Sequence, residues 1–202
     1  MKIAILMEGK TERVFLPYLR EFLSPLLLGK MPRLTSNKYD GRIPKQEKLR
    51  RVVEALLRGE NPDADHVIAL TDVYTGSNDF QNAEDAKQKM RSWVGPNDRF
   101  HPHVAQHDFE AWLLPYWPAI QDLARHNRAA PAGKPESVNH THPPSYHIKA
   151  IFRTGQGPRH YTKTRDAKRI LEGKNLRVAA DACPELSAFI NTILTLCDGD
   201  PI

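Results

Sequence analysis

The feature that most constrains this chain is an alternation of short apolar runs with longer segments of helical periodicity. The run from Lys2 to Met7 is followed by a helical pattern that reaches Leu26, and the run from His66 to Thr71 has helical patterns on both sides. Short runs rich in branched residues are typical of buried strands. Strands that alternate with helices are joined by crossovers, which predicts a mostly parallel sheet flanked by helices, with ligands beyond the carboxyl ends of the strands.

The rest of the chain supplies further elements of both kinds. Periodicity predicts helices from about Pro44 to Arg58 and from about Asp79 to Trp93, and a third strand from His103 to Gln106. The stretch from Arg125 to Pro144 has no period and predicts a long surface loop, after which helical patterns resume. A length of 202 residues fits one domain. We therefore expect a single α/β domain with a core at 1–124, a long loop at 125–147 and a helical C-terminal extension at 148–202.

Composition is that of an average soluble protein, with 40% hydrophobic and 26% charged residues. No apolar run approaches the roughly 20 residues that cross a bilayer, and no cleavable signal follows Met1. Cys183 and Cys197 lack a Cys-x-x-Cys spacing and lie in or beside an apolar helical pattern, which predicts core thiols. We expect a cytoplasmic protein without a membrane partner.

Positive charge is concentrated in the C-terminal third. The net charge is +5, and between Lys149 and Arg177 nine basic residues stand against only Asp166 and Glu172. Such a run favours a phosphate-facing surface and a nucleic-acid partner, although a solvated helix face has the same composition. The predicted nucleic-acid contacts are Lys10, Arg159, Lys163, Arg165 and Lys168.

Acidic residues close the predicted strands. Glu8 ends the first run and Asp72 ends the second, so the two carboxylates can lie within reach of one hard cation at neighbouring strand ends. Each has a plainer interpretation, as a carboxylate near a helix N-terminus or as a turn residue. A third acidic position follows the third strand, where Asp108 and Glu110 would diverge by about 200° on a helix. We therefore expect at most one of them, Glu110, to face the site, and the pattern equally fits two solvated acids.

The sequence gives less support to a zinc site or to a nucleotide-binding site. His101, His103 and His107 provide a rival zinc hypothesis, because imidazoles near a strand end are ligands that zinc accepts. His140, His142 and His147 lie by the long loop, where they contact phosphate or are solvated. The sequence lacks a Gly-rich P-loop, a dinucleotide fingerprint and a Gly-x-Ser-x-Gly elbow, so any use of ATP would need a partner.

Three sequence blocks carry a resemblance to a known family. Glu-Gly-Lys-Thr-Glu at residues 8–12, Asp72, and Phe-Glu-Ala-Trp-Leu-Leu at residues 109–114 resemble DUF4276, a family related to Toprim domains, as does the closing region from Tyr161 onward. This resemblance implies a Rossmann-like Toprim fold in which Glu8 and Asp72 occupy the positions of Mg²⁺ ligands, as in nucleases of the OLD type. Tyr74 stands where the Toprim pattern has a second Asp, and a phenol is a poor ligand for Mg²⁺ at neutral pH. The resemblance also implies a role in a prokaryotic defence system.

Two functions follow from these observations. The first is a nuclease dependent on Mg²⁺ or Mn²⁺, with Glu8 as ligand or general base, Asp72 as principal ligand and Glu110 as auxiliary ligand. The second is a binding module that has lost catalysis and that serves a partner ATPase or recognises nucleic acid. The choice between DNA and RNA stays open, as does assembly into a homo-oligomer.

Overall fold

The computed structural model describes residues 1–39, 41–73, 79–138, 142–157 and 159–202, without the side chains of Lys10, Glu12 and Lys38. Strands and α-helices follow one another in an order that begins with β-α repeats and ends with helices alone. In chain order they are β1 (Lys2–Met7), α1 (Lys10–Leu26), β2 (Arg33–Lys38), α2 (Gln46–Leu57), β3 (His66–Val73), α3 (Ala83–Val94), β4 (Phe100–Gln106), α4 (Trp117–Ala124), α5 (Pro144–Thr154), α6 (Lys163–Leu171), α7 (Leu176–Ala182) and α8 (Pro184–Leu196). Short 3₁₀ helices cover Phe109–Tyr116 and Pro135–Ser137.

The four strands form a parallel sheet in the order β2-β1-β3-β4. Met7 at the end of β1 pairs with Leu70 of β3, and Asp72 of β3 pairs with Ala105 of β4. All four strands therefore end at one side of the sheet, which we call the carboxyl edge. The predicted α/β fold with a parallel sheet and a helical C-terminal part is confirmed.

Helices cover both faces of the sheet. From β1, Ile3 and Ile5 pack into a large core with α1, the 3₁₀ helix Phe109–Tyr116 and the C-terminal helices. Ala4 and Leu6 point to the opposite face, which α2 and α3 cover. Burial on both faces explains why β1 reads as a continuous apolar run, since no residue of its interior meets water.

Local boundaries differ from the sequence expectations at three places. Strand β2 was not predicted, because it is an edge strand and its sequence, Arg-Leu-Thr-Ser-Asn-Lys, is mostly polar. Strand β4 begins at Phe100 instead of His103. In the predicted loop, Pro135–Ser137 forms a 3₁₀ helix, and α5 begins at Pro144.

Among the helices of the described residues, none combines the length and the apolar character that crossing a membrane requires.

Candidate active site at the carboxyl edge

Glu8 and Asp72 lie on neighbouring strands at the carboxyl edge. Glu8 directly follows β1, and the pairing of Met7 with Leu70 brings it beside Thr71, whose hydroxyl donates a hydrogen bond to Glu8 Oε1. Asp72 is the next residue of β3, and the two carboxylates are only 3% and 5% exposed. Buried carboxylates are costly unless charges or hydrogen bonds compensate them. Glu8 and Asp72 are therefore not ordinary surface carboxylates that keep the protein soluble, and their burial at the strand ends suggests a specific role.

Two more buried acids follow β4. Asp108 has an extended backbone (φ −149°, ψ 166°), and its Oδ2 accepts a hydrogen bond of 3.2 Å from the backbone N–H of Ser145. Glu110 lies in the 3₁₀ helix and is fully buried. Its Oε2 accepts a hydrogen bond of 3.0 Å from Lys163 Nζ, and its Oε1 accepts one of 3.4 Å from Tyr161 Oη. We call Glu8, Asp72, Asp108 and Glu110 the acidic site.

Lys163 interacts with three of these acids, Glu110, Asp108 and Asp72. Burial acts to lower its pKa, but the charges of Glu110, Asp108 and Asp72 hold the pKa of Lys163 above its ordinary value. Burial raises the pKa of Asp108, and burial together with the charge of Asp108 raises the pKa of Glu110. The expectation that at most one of Asp108 and Glu110 faces the site is therefore wrong. Asp108 precedes the helix with an extended backbone, so the helical angle between the two positions does not apply.

Asp166 fixes the segment that presents Lys163. This fully buried carboxylate accepts hydrogen bonds from Arg159 Nη1 at 2.8 Å, from the backbone N–H of Thr162 at 2.7 Å and from Arg165 Nε at 3.0 Å. Burial acts to raise the pKa of Asp166, but the hydrogen bonds from both arginines hold it below its usual range. These hydrogen bonds fix the position of the first turn of α6. Lys163, the first residue of that helix, can therefore reach Glu110. Sequence reasoning missed this role, although an acid inside a basic run was a visible signal.

The residues predicted to contact nucleic acid occupy three different environments. Lys163 is ion-paired with Glu110, while Arg159 and Arg165 are ion-paired with Asp166. Lys168 is exposed on α6. The side chain of Lys10 lies outside the described part of the chain, as do Tyr74 and His140 entirely.

The donor set at the acidic site suits a hard cation that takes few protein ligands. Within the described residues, no three His, Cys, Asp or Glu side chains gather closely enough to hold a metal ion. Mg²⁺ is usually bound through one or two carboxylates, with water and phosphate oxygens completing its shell. Asp108 Oδ1 is buried and has no hydrogen-bond partner among the described residues. The acidic site thus offers a cation such as Mg²⁺ or Mn²⁺ the small number of carboxylates that Mg²⁺ usually takes from a protein, and, among the described residues, no cluster of three.

The histidines of the zinc hypothesis are engaged elsewhere. His101 Nε2 lies 3.2 Å from His66 Nδ1, and His103 Nε2 lies 2.9 Å from Thr192 Oγ1. Burial lowers the pKa of His103 to about 3, and burial and the neighbouring His66 lower that of His101 to about 4. His107 is buried at the end of β4 with a left-handed φ of 69°. Over the described ranges, the zinc hypothesis thus has no group of three ligands to support it.

Comparison with known proteins gives one family and several solved structures. The chain resembles the C-terminal region of the Burkholderia pseudomallei OLD protein with 12% identity and a TM-score of 0.57, over 97% of this chain and 98% of that chain. It resembles the C-terminal region of the Xanthomonas campestris pv. campestris OLD protein with 18% identity and a TM-score of 0.49, over 96% and 93%. Among curated proteins there is no significant match. The sequence matches the family described as "Domain of unknown function (DUF4276)" over residues 7–194. Because this match spans nearly the whole chain, the protein belongs to the DUF4276 family.

Proposed function

We propose that this protein is a metal-dependent nuclease that hydrolyses phosphodiester bonds of DNA or RNA. The observation that carries the proposal is that Glu8 and Asp72 end neighbouring strands at the carboxyl edge, where Lys163, paired with Glu110, is also within electrostatic range of Asp72 and Asp108. Ligands of open parallel sheets bind at this edge. The fold shared with the OLD C-terminal region is compatible with the proposal.

The acidic site has the groups that phosphodiester hydrolysis requires. Glu8 and Asp72, at neighbouring strand ends, would hold Mg²⁺ or Mn²⁺, which would supply Lewis-acid polarisation of the phosphate. The hydrogen bond from Thr71 orients Glu8, so that its carboxylate stays in one position as ligand or general base. Each of these roles needs a buried and preorganised carboxylate, which the strand ends provide.

Lys163 supplies the positive charge for the transition state. Its side chain is 43% exposed, so a phosphate that reaches the carboxyl edge can contact the ammonium group from the solvent side. A lysine beside the scissile phosphate stabilises the negative charge that develops during hydrolysis. Both oxygens of Glu110 already accept hydrogen bonds, from Tyr161 and Lys163, which favours a role in holding Lys163 over that of an auxiliary metal ligand.

The second candidate is a binding module without catalysis. It is favoured by the ion pair between Lys163 and Glu110, which already neutralises one acid, and by the small number of ligands gathered among the described residues. In that case the same edge would bind a phosphate group and present it to a partner. The resemblance to defence proteins makes an ATPase subunit of a prokaryotic defence system our proposed partner in either case.

One experiment separates the two functions. Purified protein is incubated with circular DNA, linear DNA and tRNA in the presence of Mg²⁺, Mn²⁺ or EDTA. The nuclease proposal predicts cleavage of at least one substrate with a divalent cation and none with EDTA. Binding to nucleic acid without cleavage under any of these conditions would favour the binding module.

A further inference from the structure

Two basic side chains converge on one carboxylate near the acidic site. Arg42 Nη1 forms an ion pair with Asp79 Oδ2, and Lys45 Nζ lies 2.6 Å from Asp79 Oδ1. The three side chains are 28%, 38% and 32% exposed, respectively. Each oxygen of Asp79 therefore has its own cation, in a position that solvent can still reach.

This cluster lies at the carboxyl edge. Arg42 and Lys45 belong to the connection from β2 to α2, and Asp79 belongs to the connection from β3 to α3. The backbone N–H of Tyr39 donates a 2.9 Å hydrogen bond to Met7 O, which keeps the first connection beside the end of β1 and hence beside Glu8. Burial and the charge of Arg42 lower the pKa of Lys45, whereas the charge of Glu8 acts to raise it. Lys45 is thus within electrostatic range of Glu8.

The geometry suits a phosphate as well as a carboxylate. A phosphodiester presents two non-bridging oxygens, and an arginine together with a lysine that bind the two oxygens of one carboxylate can bind those two oxygens in the same way. A polyanion also needs such cations here, because the four carboxyl groups of the acidic site would repel it and Lys163 opposes only part of their charge.

We propose that Arg42 and Lys45 form the subsite that binds a backbone phosphate of the nucleic-acid strand beside Glu8, and that Asp79 occupies this subsite in the free protein. The inference rests on the proposed function, since it takes the substrate to be a phosphodiester strand. Asp79 acts as an internal competitor that the strand must displace. Removing its charge should therefore strengthen binding, whereas removing the two cations should weaken it.

The test measures binding in EDTA, so that cleavage does not contribute. Labelled short single-stranded DNA, duplex DNA and single-stranded RNA are titrated by fluorescence anisotropy at several salt concentrations. Asp79→Asn should tighten binding about two- to fivefold, as expected when a partly exposed ion pair no longer competes. The double variant Arg42→Gln, Lys45→Gln should weaken binding and reduce the log-log salt slope by about one, since the two side chains share one phosphate and each phosphate contact contributes about 0.9.

A matched control removes two positive charges from the later part of α2 and its end, farther along the chain from the cluster. Arg51 on that helix and Arg58 directly after it are exposed, and the variant Arg51→Gln, Arg58→Gln should leave both affinity and salt slope near the wild-type values. Equal salt slopes for the two double variants would overturn the proposal, and so would an Asp79→Asn variant that stays folded and binds no more tightly than the wild type. If Asp79→Asn fails to fold, the comparison of the two double variants still decides. Absence of cleavage by the wild type with Mg²⁺ or Mn²⁺ would contradict the nuclease proposal but leave this subsite standing if the binding pattern holds.

Discussion

Lys163 and Glu110 form an ion pair of 3.0 Å in which the acid is fully buried and the lysine side chain is 43% exposed. The pair joins the helical C-terminal part of the chain to the carboxyl edge, because the charges of Asp108 and Asp72 act on the same lysine. Asp166 holds the segment from which Lys163 projects. The C-terminal helices therefore contribute a residue to the acidic site and do more than cover the sheet.

Removal of the Lys163 charge should destabilise the fold. Lys163→Met leaves Glu110 buried without its cation, and we expect the free energy of unfolding to fall by about 1 to 3 kcal/mol, less than for a fully buried pair because the lysine is partly exposed. Glu110→Gln in the Lys163→Met background should recover part of this loss, since the neutral amide tolerates burial better. Urea denaturation of the wild type, both single variants and the double variant measures the coupling. Additive effects of the two substitutions would show that the pair does not contribute as a unit.

His103 should make stability dependent on pH. Burial lowers its pKa in the folded protein to about 3 from an ordinary value of 6.5, so below pH 6.5 the unfolded chain binds a proton that the folded protein does not. The free energy of unfolding is therefore not reduced by His103 above pH 6.5. It falls as the pH decreases from 6.5 toward 3, and the loss due to His103 is about 2 kcal/mol at pH 5. His103→Gln removes this titration.

Chemical denaturation of the wild type and of His103→Gln at pH 7.5 and pH 5 checks the effect. The wild type should lose about 2 kcal/mol more than the variant on this change of pH. The histidine pair His66 and His101 is present in both proteins, so His103 is the group that differs between them. Parallel pH profiles would mean that His103 is not held neutral by burial.

Lys163 and Lys168 should have separable effects on nucleic acid, because Lys168 is exposed on α6, whereas Lys163 is ion-paired with Glu110 in the acidic site. Lys168→Ala should lower the log-log salt slope of binding by about one and leave the cleavage rate at saturating substrate unchanged. Lys163→Ala should reduce the cleavage rate itself. Anisotropy titrations and cleavage assays on the same preparations measure the two effects. A Lys168→Ala variant with an unaltered salt slope would remove α6 from the nucleic-acid surface.

The parts of the fold that the sequence predicts well are those buried on two sides. The strands β1 and β3 were recognisable because their central residues are all apolar. In β2, by contrast, Leu34 alone is buried among the described side chains, so no run or alternation marks the strand. Only the parallel pairing with β1, which depends on the tertiary structure, identifies it.

Some residues of the candidate site could likewise be predicted from the sequence, whereas their long-range contacts could not. Glu8 and Asp72 were predictable, because acids that follow neighbouring parallel strands meet at one edge whatever the rest of the chain does. The contacts of Glu110 with Lys163 and of Arg42 with Asp79 join residues 53 and 37 positions apart, and no local pattern encodes them. Sequence reasoning therefore assigned Lys163 to a surface, whereas the structure shows it paired with a buried acid.

Cleavage by Glu8→Gln and Asp72→Asn, measured against the wild type in Mn²⁺ and Mg²⁺, tests the central claim most directly. Each substitution removes a charge at the carboxyl edge with little change in volume, and thermal unfolding checks that the fold is kept. Glu47→Gln serves as the control, because Glu47 is an exposed acid on α2. We predict that the wild type and Glu47→Gln cleave alike, whereas the two site variants lose at least about a hundredfold in rate. If folded Glu8→Gln and Asp72→Asn cleave at the wild-type rate, the carboxyl edge is not the catalytic centre.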